Sequence, residues 1–201
     1  VLILVRNGRK ALRREERRSW LELKAAQYLS TRHNVGFLVV DALASRARID
    51  VSKDKFNGHY GSGRIGSRSV VLLKPQTYMN RSGQSVVAAA QFFKVKPTSI
   101  IVIHDELDIE FSNLRLKLGG GHAGHNGLRS IINLLGSKEF IRLRMGIGRP
   151  KHGDVSRYVL SGFSAPEETE WLPGFVDDGA DAIEYVVREG VQMAMNKVNA
   201  P

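Results

Sequence analysis

Short runs of uninterrupted apolar residues alternate along this chain with longer stretches in which apolar positions recur every three or four residues. Val1–Val5 and Ile100–His104 are the clearest runs, and successive β-branched side chains suit strands covered on both faces. Val70–Lys74 and Leu143–Gly148 predict two further strands. Leu114–Leu118 interleaves leucines with Arg115 and Lys117, which predicts a half-buried strand with both cations on one face. Helical spacing falls between these runs, over Val35–Ala47, Ser82–Phe93 and Leu128–Leu135. Strands alternating with helices predict an α/β fold: a three-layer sandwich with a mixed, largely parallel central sheet flanked by helices. His59–Gly66 reads as an edge strand or hairpin arm, weakened by Gly61, Gly63 and Gly66. Within a C-terminal helical region, 165–201, Pro173–Asn199 sets its acids opposite an apolar stripe of Phe175, Ala182, Val186, Val187 and Val191, a packing face. No repeat or linker divides the chain, so residues 1–201 are read as a single domain.

Charge adds direction to this picture. The 201 residues carry a net charge of +10, distributed unevenly. Residues 1–34 hold nine Lys or Arg against three acids, residues 35–163 nineteen against nine, and residues 164–201 two against eight. The basic middle therefore coincides with the polar motifs described below, and a polyanionic partner is expected through phosphate neutralisation. The run Arg9–Arg18 within the basic segment 6–27 reads either as a helix on RNA or as loosely ordered chain. Cysteine is absent, which excludes thiolate chemistry and disulfides. Val1–Val5 runs directly into Arg6, too short for a membrane span, so a cytoplasmic location with no membrane partner is expected.

The stretch Gly119–Gly127 places five glycines around His122, His125 and Asn126 at a predicted strand-to-helix turn. Glycine permits close backbone approach, and the N-terminus of the following helix is expected to offer unpaired N–H groups to an anion or polarised carbonyl. Four other segments concentrate polar side chains at loops and strand ends: Tyr28–Asn34, Lys74–Asn80, His104–Asp108 and Arg142–Gly148. Together with the glycine loop, their order and spacing resemble bacterial-type peptidyl-tRNA hydrolase from about Tyr28 to Gly148. That resemblance implies an α/β monomer, without metal or cofactor, that cleaves the ester between a peptide and the 3′ ribose of its tRNA. It implies His33 as general base, Asp105 as its partner, and Asn80 and Asn126 as positioning amides. Tyr28, Tyr78, Met79 and His125 are implied as substrate contacts, and Lys117 and Arg144 as a clamp on the tRNA 5′ phosphate, with Arg115 and Arg142 widening that surface. Imidazole suits the first role, since it accepts a proton near neutrality, and a carboxylate on its other nitrogen fixes the tautomer.

The N-terminus departs from the family pattern. A strand followed by Gly-x-Gly-Asn-Pro-Gly is expected shortly before Tyr28, yet Leu23, Lys24 and Ala25 stand where Asn, Pro and Gly fall. Either Asn7–Gly8 serves instead, with residues 9–25 inserted, or the amide is missing, or the N-terminus of this sequence is altered. Two other readings remain beside the hydrolase. One is an RNA-binding homologue without turnover on the same scaffold. The other is a metal-dependent hydrolase using His104, Asp105, His122 and His125, although no His-Glu-x-x-His helix occurs and no zinc spacing fits.

Overall fold

A computed structural model describes residues 2–6, 31–150 and 152–200. Tyr28, Asn7 and the basic segment 6–27 beyond Arg6 lie outside the described residues. The strands are β1 (Leu2–Arg6), β2 (Lys53–Lys55), β3 (Gly58–Ile65), β4 (Arg68–Pro75), β5 (Ile100–Glu106), β6 (Leu114–Leu118) and β7 (Ile141–Gly146). The helices are α1 (Val35–Ala47), α2 (Ser82–Phe93), α3 (Asn126–Leu135), α4 (Val155–Val159), α5 (Leu172–Glu189) and α6 (Val191–Val198). One sheet runs β2-β3-β4-β1-β5-β7-β6.

The continuous apolar runs do what their patterning requires. Val70, Leu72, Ile101 and Ile103 join a core with Val35, Val39 and Leu43 of α1 and Phe175 and Ile183 of α5. The alternate residues Val71, Leu73, Ile100 and Val102 meet Val86 and Ala89 of α2 and Leu128 and Ile131 of α3. Helices therefore cover both faces of the sheet. The expectation of a largely parallel sheet is corrected: β5 with β7 is parallel, and every other described pairing is antiparallel. Tight turns cause part of this, since β2, β3 and β4 follow one another without room for a crossover helix. β3 is a hairpin arm and not an edge, because the charged strand β2 lies outside it.

Boundaries shift by a few residues. The strand expected from Leu143 begins at Ile141, α3 begins two residues earlier than its apolar spacing suggests, and the C-terminal helix breaks at Gly190, whose φ is +90°. β4 and β5 point the same way, each antiparallel to β1 between them. Their C-terminal ends therefore open at one edge of the sheet, beside the turn Arg32–Asn34 that leads into α1. Among the described residues no helix is long and apolar enough to cross a membrane.

Candidate active site

Asp105 occupies the penultimate position of β5 and is 5 % exposed. His33 sits in the turn Arg32–Asn34, and its Nδ1–H donates to Asp105 Oδ1 at 2.7 Å. His125 reaches the same oxygen through Nε2 at 3.1 Å. Burial alone would raise the Asp105 carboxyl, but the hydrogen bonds from His125 and His33 outweigh it and hold the group well below the usual carboxylate range. Asp105 is therefore a permanent acceptor. With its Nδ1–H engaged, His33 keeps the Nε2 lone pair for a proton.

Beside the substrate contact expected of it, His125 has a structural role. It caps α3, where its Nδ1 accepts from the backbone N–H groups of Gly127 at 3.1 Å and Leu128 at 3.3 Å. The expectation that this helix end offers those N–H groups to a ligand is corrected, since an imidazole already fills them. Capping through Nδ1 leaves the ring proton on Nε2, which is the donor Asp105 receives. His33, Asp105 and His125 lie close enough together to surround one ion. A protonated Nε2 has no lone pair to give a metal, so hydrogen bonding accounts for this cluster. His104 packs edge-on against His125, with ring centroids 5.1 Å apart, and donates from Nδ1 to the Asp105 carbonyl at 2.7 Å. Burial, reinforced by the neighbouring His125, pushes His104 down to about 3, so it stays neutral. His122 turns back on its own loop, accepting from Gly124 N–H.

His33, His104, Asp105 and His125 line a cleft of about 1370 Å³, together with Gln76, Tyr78, Met79 and Leu160. Tyr78 is 80 % exposed and free to stack on a flat ligand. Gly127 allows a close approach: a Cβ there would stand 2.7 Å from Met79 Sδ and 2.9 Å from the His125 ring, so those side chains would have to shift. α2 and α3 cross tightly at Gly83, whose N–H donates to Ser130 Oγ at 3.0 Å. That crossing brings the turn Met79–Arg81 against α3. Asn80 and Asn126 consequently lie on neighbouring elements, each flanked in sequence by cleft-lining residues, with exposed side chains that do not themselves line the cleft. The predicted imidazole and acid meet, while the two amides stop short of direct contact.

Residues 24–201 match the family described as Peptidyl-tRNA hydrolase. This chain belongs to that family. The peptidyl-tRNA hydrolase of Citrifermentans bemidjiense is 51 % identical over 174 residues, covering 87 % of this chain and 92 % of the relative. That of Sorangium cellulosum is 49 % identical over 176 residues, covering 86 % of this chain and 78 % of the relative. The crystal structure of peptidyl-tRNA hydrolase from Acinetobacter baumannii superposes with a TM-score of 0.81 at 44 % identity, covering 87 % of this chain and 89 % of that one. The family match spans every predicted site residue from Tyr28 to Arg144 and begins downstream of Asn7.

Among peptidyl-tRNA hydrolase features, the cationic strands are only partly as expected. Arg115 pairs across from Arg144, and Lys117 from Arg142. Arg142 is corrected from a surface cation to a buried one: its guanidinium donates to the carbonyls of Gly120 and Gly121 and stacks on Phe140 at 4.6 Å. It holds the glycine loop, and Gly120 presents its carbonyl from a φ of +108°. Arg144 Nε donates to Glu106 Oε2 at 2.9 Å, while Arg115 and Lys117 are exposed. Sequence reasoning missed Arg32 altogether, although it adjoins His33 and is buried with Ser161, Gly162 and Glu167 as partners. Its charge disguised it as a surface residue.

Proposed function

We propose that this chain hydrolyses the ester joining a peptide to the 3′ ribose of a tRNA, with His33 as general base. The observation that carries this reading is the 2.7 Å hydrogen bond from His33 to a buried, ionised Asp105 at the mouth of a cleft. His33 Nε2 takes a proton from water, and the resulting hydroxide attacks the ester carbonyl. Asp105 stabilises the imidazolium that forms, and the imidazolium then protonates the departing ribose oxygen. Asn80 and Asn126 supply neutral N–H donors for the developing oxyanion once substrate draws them in, a role in which one donor is worth about 10²–10³ in rate. Tyr78 and Met79 offer flat and soft surfaces for the acceptor end of the tRNA, and the sequence resemblance adds Tyr28.

The tRNA 5′ phosphate is assigned to Lys117 and Arg144. Lys117 and Arg144 are diagonal neighbours across β6 and β7, on one face of the sheet and close enough for long side chains to reach one anion, which supports a phosphate there. Arg144 is oriented by Glu106, so its remaining donors are aimed before ligand arrives. The resemblance to peptidyl-tRNA hydrolases supports a cytoplasmic, monomeric enzyme.

Incubation of the purified chain with a peptidyl-tRNA tests the proposal. Free tRNA and a peptide with a free carboxylate are expected, and in ¹⁸O-water the label enters the peptide carboxyl and not the ribose. Failure to release peptide, or label in the ribose, refutes it.

A further inference from the structure

The two halves of the catalytic pair come from distant parts of the chain, His33 from a turn ahead of α1 and Asp105 from β5. The His33 turn has no side-chain cap of its own. The segment beyond β7 holds it instead. Arg32 N–H donates to the Ser161 carbonyl at 3.0 Å, and Thr31 forms a β-bridge to Gly162. The Arg32 guanidinium donates to Ser161 Oγ at 3.0 Å, to the Gly162 carbonyl and to Glu167 Oε2 at 2.7 Å, and lies over the rings of Tyr158 and Phe163. From Ser161 the bonding continues inward. Its hydroxyl donates to the Tyr158 carbonyl at 2.7 Å, and the Tyr158 hydroxyl donates to the Ile147 carbonyl at 2.5 Å. Ile147 N–H in turn donates to the carbonyl of Glu106 at 3.0 Å. The path starts beside His33 and ends beside Asp105.

We propose that Arg32 is a positioning residue that sets the separation of His33 and Asp105 through this circuit; the inference rests on the reading of His33 as the base. A guanidinium is suited to the task because its rigid fork serves a carbonyl, a hydroxyl and a carboxylate at once while its face stacks on an aromatic ring. Lysine retains the charge and loses the fork. Tyrosine at position 158 contributes a single hydroxyl to the path and a ring beneath the cation, so the two functions separate in Tyr158→Phe.

The test compares Arg32→Lys and Tyr158→Phe with the unaltered chain in two measurements. The first is kcat and KM on peptidyl-tRNA. The second is the ¹H–¹⁵N signal of the His33 Nδ1–H, which reports its bond to Asp105 directly. A misplaced reacting group costs up to about 10²-fold, so kcat is expected to fall about 10- to 100-fold in Arg32→Lys and by a smaller factor in Tyr158→Phe. KM is expected to stay within about twofold, as befits an effect on the chemical step. The His33 signal is expected to shift or broaden in both variants, with that of His125 following because it shares Asp105 Oδ1, while the signals of the distant His59 and His122 hold. Unchanged kcat, or a reduced kcat with an unmoved His33 signal, overturns the proposal. Should Arg32→Lys fail to fold, Tyr158→Phe decides alone. Lack of turnover by the unaltered chain counts against the proposed activity instead, and the His33 signal still decides whether the circuit exists.

Discussion

At the scale of residues, the imidazoles around Asp105 divide the work by burial and by which nitrogen each one commits. His33 commits Nδ1 to Asp105 and not Nε2, His125 commits both nitrogens, and His104 is buried with one nitrogen on the Asp105 carbonyl. His104 has a consequence for stability. Its folded value of about 3 lies below the ordinary 6.5, so below 6.5 the unfolded chain takes up the proton first. Stability is therefore complete above 6.5 and is lost as pH falls toward 3, by up to about 1.4 kcal/mol for each pH unit. Denaturant midpoints at pH 7.5 and about 4.5 are expected to differ more for the unaltered chain than for His104→Asn, which cannot titrate. Equal differences in the two proteins would contradict the assignment. His33 and Asp105 were legible in the sequence because each stands at an element boundary in a recognisable motif. The capping role of His125 was not, since an imidazole is outside the usual Ser, Thr, Asp and Asn caps. Arg32 escaped because burial of a charged side chain follows from its partners, and those lie about 130 residues away in sequence.

At the scale of elements, the sheet shows what periodicity can and cannot carry. The continuous apolar run Ile100–His104 correctly marked β5 as covered on both faces, because such a run has no polar side to expose, and β4, read only as a strand, is covered on both faces too. Strand direction was not legible, because patterning records faces and is blind to polarity along the strand. The edge strand β6 illustrates another feature that local pattern omits. Leu116 N–H donates to Asn199 Oδ1 and Leu116 carbonyl accepts from Asn199 Nδ2, both at 2.8 Å, so one carboxamide at the end of α6 occupies the strand's outward backbone pair. Asn199→Ala leaves both groups unpaired beside a buried leucine and is expected to cost about 1–3 kcal/mol in denaturant unfolding. Asn199→Asp keeps the acceptor, loses the donor and sets a charge against a carbonyl, so it is expected to destabilise as well. Unfolding midpoints unchanged by both substitutions would show that the edge does not depend on this carboxamide.

At the scale of the whole molecule, the excess of positive charge resolves into cations with separate tasks. Arg142 and Arg32 are buried ties, whereas Lys117 and Arg115 are exposed and the half-buried Arg144 is held by Glu106, on the face proposed above for the tRNA phosphate. Net charge alone exposed none of this division, although it pointed to the right class of partner. Combined Lys117→Ala and Arg144→Ala substitution is expected to raise KM for peptidyl-tRNA and to lower the logarithmic salt slope by about two, one for each cation removed from the phosphate. Hydrolysis of a minimal ester lacking the tRNA body is expected to be spared, and an unchanged KM would remove the clamp. The central claim is narrower and concerns one proton. Single-turnover hydrolysis of peptidyl-tRNA at saturating enzyme, compared between the unaltered chain and folded His33→Ala, tests it most directly. A fall of about 10²–10⁴-fold in the cleavage rate is predicted for loss of the general base, and a rate equal to that of the unaltered chain would contradict the account.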